Sequence, residues 1–292
     1  MLRHNPKNGT LPPIGAHFST AGGPHHALEE ARDWNCPVAQ LFTSSPRQWK
    51  PYKIADESVA TFLALQKETG VEAVSHASYL INLAADGEPR DKARAAFADE
   101  LRRCQTLNIP YLVVHPGTAG AGSLEAGIRL IGAALDETYA ESENTVTSVL
   151  LETTAGSGHS IGSRFEHLAA ILDASKEEKR LGICLDTCHV FAAGYDIRTE
   201  ETYAKTMDAL KAALPLARLR FFHINDSVTG FNSHVDRHAH LGDGQLGLEP
   251  FRLILNDARF AKIGKCLETE SDEKRVNDLK ILRGLVHVPN EK

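Results

Sequence analysis

Thiol chemistry is almost absent from this chain. Its 292 residues include five cysteines, an odd number, and no two are spaced as Cys-x-x-Cys. That pattern excludes the usual thiolate zinc knuckle and argues against a disulfide framework in a chain of this length. Long hydrophobic runs are missing too: none approaches the roughly 18 residues that a membrane span requires. The first thirteen residues, Met1 to Pro13, hold no apolar core of a secretory signal. A short tail over residues 1–13 and a cytoplasmic, non-secreted protein are therefore expected. Gly242-Asp-Gly244 and Gly156-Ser-Gly158 are not followed by a P-loop lysine, nor do they stand in the strand-turn-helix context of a dinucleotide fingerprint. There is no basic excess either. The formal charge is −6, which at first speaks against a nucleic-acid partner. With no linker, low-complexity segment or internal repeat beyond a strand–helix rhythm, residues 14–292 read as one domain.

What the chain does have is a recurring device. Short apolar runs end in a histidine or a carboxylate: Glu72-Ala-Val-Ser-His76, Tyr111-Leu-Val-Val-His115, Val149-Leu-Leu-Glu152, Gly182-Ile-Cys-Leu-Asp186, Leu219-Arg-Phe-Phe-His223 and Lys265-Cys-Leu-Glu268. One strand stopping at a polar residue means little. Six of them predict a ring of strands delivering ligands to a common centre, because such side chains are costly at the edge of an apolar core unless something binds them.

With Ile14–His17 and Val38–Phe42 the strand-like runs number eight, and helical patterns separate them. The helices are expected over Pro24–Trp34, Asp56–Thr69, Asp91–Leu107, Ser123–Asp136, Arg164–Asp173, Glu200–Ala213, Glu249–Asn256 and Asp272–Leu285. Eight strand–helix units with continuous apolar strands predict a parallel (β/α)8 TIM barrel, an α/β fold whose active site lies at the C-terminal strand ends. The long connection from His223 to Cys266, with Gly230, Gly242, Gly244 and Gly247, is expected to form an active-site loop.

Two local pairs join the six strand ends. Asp186-Thr-Cys-His189 sets an imidazole just beyond a strand, and Asp236-Arg-His238 projects two ligands to one side if the backbone is extended. Nine candidates result: His76, His115, Glu152, Asp186, His189, His223, Asp236, His238 and Glu268. Histidine and carboxylate without thiolate suit zinc, manganese or iron, and nine ligands with one bridging carboxylate fit three ions with open positions. Three divalent ions would offset the acidic balance at the place where a phosphate would go. Cys184 and Cys266 read as small core residues. Cys188 resembles a ligand, but its neighbours already supply them. The alternation of His234, Asp236, His238 and His240 also suits a solvated strand face. His25, His26, His159, His167 and His287 read as surface or packing residues, and His17 as either a core histidine or a partner behind the ligands.

The chain resembles the endonuclease IV family, zinc-dependent apurinic/apyrimidinic endonucleases of DNA repair. The resemblance runs from about Ile14 to Glu270. It rests on Gly15-Ala-His17 with Ala21-Gly-Gly23, Arg47-Gln-Trp49, His76-Ala-Ser-Tyr-Leu-Ile-Asn82, His115-Pro-Gly117, Glu152 with Thr154-Ala-Gly156, Asp186-Thr-Cys-His189 with Ala193-Gly-Tyr-Asp196, His223-Ile-Asn-Asp226, Asp236-Arg-His238 with Leu241-Gly242, and Leu267-Glu-Thr269. It implies three Zn2+ per chain, with Mn2+ acceptable at one position. His76 and His115 would hold one ion, and Glu152 would bridge it to a second held by Asp186, His223 and Glu268. The third would sit among His189, Asp236 and His238. It further implies hydrolysis of the phosphodiester bond 5′ to an abasic site in duplex DNA, leaving a 3′-hydroxyl and a 5′-deoxyribose phosphate, with Glu268 and Glu152 at the reacting centre. Arg47, Gln48, Tyr79 and Leu80 match residues that wedge into the base stack or contact the duplex. The chain is expected to act as a monomer without an obligate protein partner. It departs from the family's usual pattern at Ser44 and Val228, where lysine is common, and at Ser75, Thr153 and Glu270. Two missing positive charges should weaken phosphate contacts.

Two rival readings differ in what they require. A metal-dependent sugar isomerase or epimerase on a related barrel needs one or two ions and gives no reason for His189, Asp236 and His238. A non-catalytic DNA-binding role would tolerate loss of the ligands.

Overall fold

The computed structural model describes residues 11–49, 53–270 and 273–287. The first ten residues of the expected tail, and Asp272 at the start of the last expected helix, lie outside the described residues.

Eight parallel strands close into a barrel. They are β1 (Ile14–His17), β2 (Val38–Leu41), β3 (Glu72–His76), β4 (Tyr111–Val114), β5 (Ser148–Glu152), β6 (Leu181–Asp186), β7 (Leu219–His223) and β8 (Gly264–Leu267), each hydrogen-bonded to the next, with β8 returning to β1. The eight expected strands are all present, with ends shifted by a residue, so that His115 and Glu268 stand just past their strands. Gly15 is required where β1 meets β2, since a Cβ there would lie 1.9 Å from the Val38 carbonyl oxygen.

Strand side chains alternate between two faces. One set points into the barrel and packs as a plug of Val38, Val74, Val113, Leu150, Cys184, Phe221 and Cys266. The other packs outward against the helices in the main core, with Phe18, Phe62, Phe97, Phe165, Phe222 and Phe251 buried there. The helices are α1 (His25–Asp33), α2 (Asp56–Thr69), α3 (Glu88–Thr106), α4 (Leu124–Ser142), α5 (Phe165–Ala174), α6 (Thr187–Ala192), α7 (Glu200–Ala213), α8 (Glu249–Asn256) and α9 (Glu273–Leu285).

Three differ from expectation. α3 begins at Glu88 rather than Asp91, because Pro89 is well tolerated in a first turn, where no N–H is needed. α4 continues past Asp136 to Ser142 and stops at Glu143, whose φ of 51° is left-handed. α6 was not expected at all. The Asp186 side chain caps it by accepting from the His189 N–H at 2.8 Å, so one residue both ends a strand and starts a helix. The long connection after β7 is more ordered than a loop. Asp226–Ser227 pairs with His238–Ala239 as a short antiparallel ribbon, and α8 follows.

Candidate metal centre

Two residues above each member of the apolar plug, on the same face of its strand, stands a polar side chain. Val74 leads to His76, Val113 to His115, Leu150 to Glu152, Cys184 to Asp186, Phe221 to His223 and Cys266 to Glu268. The period-two rule of a strand thus lifts all six strand-end ligands to one level at the C-terminal mouth. The barrel does the converging; no strand has to bend.

The nine expected ligands fall into three groups, each with its ligand atoms within 4.8 Å of one another. In the first, His76 Nε2 and His115 Nε2 lie 3.2 and 3.0 Å from Glu152 Oε2. The other Glu152 oxygen faces the second group, with Oε1 at 2.9 Å from His223 Nδ1, which is 3.1 Å from Glu268 Oε2; Asp186 completes the set. In the third, His189 Nε2 and His238 Nε2 are 3.0 and 3.3 Å from the two Asp236 oxygens. Glu152 therefore presents one oxygen to each of two groups, which is the geometry of a bridge.

The donor set fits divalent cations. His189 Nε2 and His238 Nε2 are buried without a hydrogen-bond partner. The Asp236 oxygens are near but out of line for hydrogen bonds, as when lone pairs aim at a shared point instead of at each other. The far nitrogens are anchored in the way ligating histidines require: His76 Nδ1 bonds the Ala77 carbonyl at 2.7 Å and His189 Nδ1 the Thr153 carbonyl at 2.8 Å. Electrostatics agree. Burial alone would lower the His189 and His223 pKa values, yet Asp186, Asp236 and Glu152 hold His189, and Cys184 with Glu268 and Glu152 holds His223, well above the ordinary value. Glu152 is held well below its ordinary range by His115 and His223, against the effect of burial. The pit stabilises positive charge.

Several supporting residues carried no signal as ligands. Asn225 donates to Asp186 Oδ2 at 2.6 Å and accepts from the Glu268 N–H at 2.9 Å, tying two ligand strands together. Thr153 Oγ1 accepts from the Asp186 N–H at 2.9 Å. Asp226 is fully buried and accepts from the backbone N–H groups of Ser227, Gly242, Gly244 and Leu246 at 2.7, 3.0, 3.1 and 2.9 Å. It clamps the loop carrying Asp236 and His238. Gly244 has to be glycine in this clamp: a Cβ would sit 2.4 Å from Asp226 Oδ1. The sign available in the sequence was the His223-Ile-Asn-Asp226 motif, which carried the resemblance without showing what Asn225 and Asp226 do.

Above the ligands opens a cavity of about 530 Å³. Tyr79 stands at its rim, 55% exposed, with its ring centroid 5.3 Å from that of His76. Leu80 is half-buried beside it, and Arg47 and Gln48 are exposed on the loop after β2. Ser78 Oγ donates to the Pro46 carbonyl at 3.0 Å, so the Arg47–Gln48 and Tyr79–Leu80 segments are held side by side. Ser44 turns inward and donates to the buried Glu100 carboxylate, which also accepts from Thr43 Oγ1 at 2.5 Å. Val228 is 43% exposed. Cys188 approaches Asp186 and His238, with its sulfur 3.7 Å from the Arg237 carbonyl and burial pushing the thiol up to about 12. His25 and His26 lie on the surface with Glu29, His25 bonded to Ser58 and His26 to Glu29.

Fold and site together define a TIM-barrel enzyme with a histidine–carboxylate centre at the C-terminal mouth. Residues 28–285 match a family described as a xylose isomerase-like TIM barrel. A relative from Chloroflexus aggregans called probable endonuclease 4 is 44% identical over 283 residues, covering 95% of this chain and 99% of its own. The crystal structure of endonuclease IV from Thermus thermophilus superposes with a TM-score of 0.85 at 37% identity, covering 94% of this chain and 98% of that one. A D-tagatose 3-epimerase-like protein shares the fold alone, with a TM-score of 0.72 at 19% identity. The chain belongs to the endonuclease IV family, and it is a hydrolase of the nuclease class.

Proposed function

We propose that this protein incises duplex DNA at abasic sites, hydrolysing the phosphodiester bond on the 5′ side to leave a 3′-hydroxyl and a 5′-deoxyribose phosphate. The observation that carries this beyond family membership is the third ligand group. Two buried, unpartnered imidazole nitrogens converge with Asp236 beside a carboxylate that already bridges two other groups. A one- or two-metal sugar isomerase has no use for it.

Three zinc ions, manganese being acceptable at one position, would be held by the three groups in the order given. Bound there, they supply Lewis-acid stabilisation of phosphate charge and an acidified water. Four carboxylates oppose six positive charges in such a centre, leaving a net attraction for a phosphodiester despite the acidic chain. Glu268, with Oε2 directed to the second group, orients the attacking water; Glu152 fixes the spacing of the two groups it bridges. His189, Asp236 and His238 would hold an ion that stabilises the charge developing on the departing 3′ oxygen. Tyr79, Leu80 and Arg47 fill the gap left when an unstacked abasic nucleotide swings into the cavity, which costs less than extruding a paired base, and Gln48 contacts the strand nearby. The same reading places the protein in the cytoplasm, with duplex DNA as its partner. Among the described residues no helix is long and apolar enough to cross a membrane.

The test is incision of an end-labelled duplex carrying one tetrahydrofuran abasic analogue, against the intact duplex and Glu268→Gln protein. Cleavage confined to the 5′ side of the analogue and lost in the variant is expected. Zinc-replete protein that leaves the duplex whole would refute the assignment.

A further inference from the structure

The level of polar residues at the barrel mouth has eight members, one per strand, and two are not among the nine ligands. β1 contributes His17 and β2 contributes Gln40, paired with each other in register. Gln40 stands two residues above Val38 of the plug, where β3 to β8 each carry a ligand. It is fully buried. A primary carboxamide in that place is costly unless each of its groups is used.

Each is used. Gln40 Oε1 lies 2.7 Å from His223 Nε2, and Gln40 Nε2 lies 2.6 Å from Glu268 Oε1 and 3.1 Å from His17 Nδ1. The orientation is dictated by chemistry. The reverse placement would set the amide oxygen against a carboxylate oxygen. With the NH2 committed to Glu268 and His17, the amide oxygen accepts, so His223 carries a proton on Nε2. That leaves His223 Nδ1, at 2.9 and 3.1 Å from the Glu152 and Glu268 oxygens, as the nitrogen whose lone pair a cation would take in place of a proton. The same amide occupies the outer oxygen of Glu268 and leaves Oε2 for the centre.

Taking the trinuclear reading above as its basis, we propose that Gln40 is a positioning residue of the second ligand group, setting which nitrogen His223 offers to the cation and which oxygen Glu268 offers. It touches neither substrate nor cation. His17 holds the amide from behind, its ring 4.3 Å centroid to centroid from Phe42.

The experiment is competitive zinc titration of the metal-stripped full-length protein and of Gln40→Met, which keeps the volume and removes all three side-chain hydrogen bonds. It is paired with imidazole 15N–1H spectra of the zinc-loaded proteins. Loss of an outer hydrogen bond to a ligand weakens metal affinity by about 10–100-fold. The expected result is three zinc ions on the wild type and weakening of that size at one of the three in Gln40→Met. The slowly exchanging His223 Nε2–H resonance should disappear as well. Should Gln40→Met fail to fold, Gln40→Asn, which retains a shortened carboxamide, should show the same one-site loss in smaller measure. Three sites of unchanged affinity with the resonance intact, or equal weakening of all three, would overturn the role of Gln40 alone. A wild type that takes up fewer than three zinc ions would overturn the trinuclear reading and this inference with it.

Discussion

Asp226→Ala should dismantle the third ligand group while leaving the barrel standing. The Asp226 carboxylate accepts four backbone N–H groups, three of them from residues 242–246, and so closes that turn. A hydrogen bond to a charged group contributes roughly 1.5–3 kcal/mol. Four such bonds cannot simply be added, because the buried carboxylate itself costs several kcal/mol to desolvate. Breaking a comparable buried arrangement costs about 3–5 kcal/mol, and at 1.4 kcal/mol per tenfold that is a factor of roughly 10²–10³ in the ordered loop population. Because Asp236 and His238 lie on the segment this clamp closes, zinc affinity at their site should fall by up to that factor. The other two sites, built from strand ends, should keep theirs. The assay is zinc content after dialysis against a weak chelator, with amide hydrogen exchange over residues 236–246. A variant that keeps three ions at wild-type affinity and wild-type exchange protection would refute the clamp.

Lys265 is fully buried on β8 with its Nζ donating to the Phe260 and Ile263 carbonyls, both at 2.7 Å, and burial lowers its pKa from 10.5 to about 7. Between those two values the unfolded chain holds the proton and the folded one does not, so stability should rise with pH across that window. The rise should reach about 4 kcal/mol at roughly 1.4 kcal/mol per pH unit, and urea melts of wild type against Lys265→Met at pH 7 and pH 10 would show it as a difference lost in the variant. Val228→Lys should tighten binding to an abasic duplex and steepen the log–log salt dependence by about 0.9, measured by fluorescence anisotropy. Ser44→Lys should do less, since the buried Glu100 carboxylate beside it would neutralise the new charge. Tyr79→Ala should reduce preference for the abasic over the intact duplex in the same titration, with zinc content unchanged, since Tyr79 stands at the rim and belongs to none of the three ligand groups.

How much was legible in the sequence depended on whether the signal was local. The ligand at the end of each strand was legible because the alternation of a strand places a residue on a known side whatever the rest of the chain does. Gln40 follows the same alternation and was missed, because glutamine is not a ligand and its role exists only once β2, β7 and β8 are neighbours around a closed mouth. α6 was missed because Asp186 serves as strand end and helix cap together, which a boundary rule treats as alternatives. Asn225 and Asp226 stood in a matching motif, but what they hold is set by Asp186, Glu268 and the 242–246 turn, which only the folded barrel brings beside them.

The amino-acid sequence by itself determined the eight-unit rhythm, the nine ligand candidates and the lack of a Cys-x-x-Cys pair or a P-loop lysine. All of these rest on residue type and on spacings shorter than one strand–helix unit. The grouping was implied only by resemblance, and the tertiary structure supplies its geometry: Glu152 turns one oxygen to His76 and His115 and the other to His223, Asp236 meets His189, and Ser44 is spent on Glu100. Those pairings join residues tens of positions apart, and closure of the barrel is what brings them within reach. No local pattern encodes a distance across a ring.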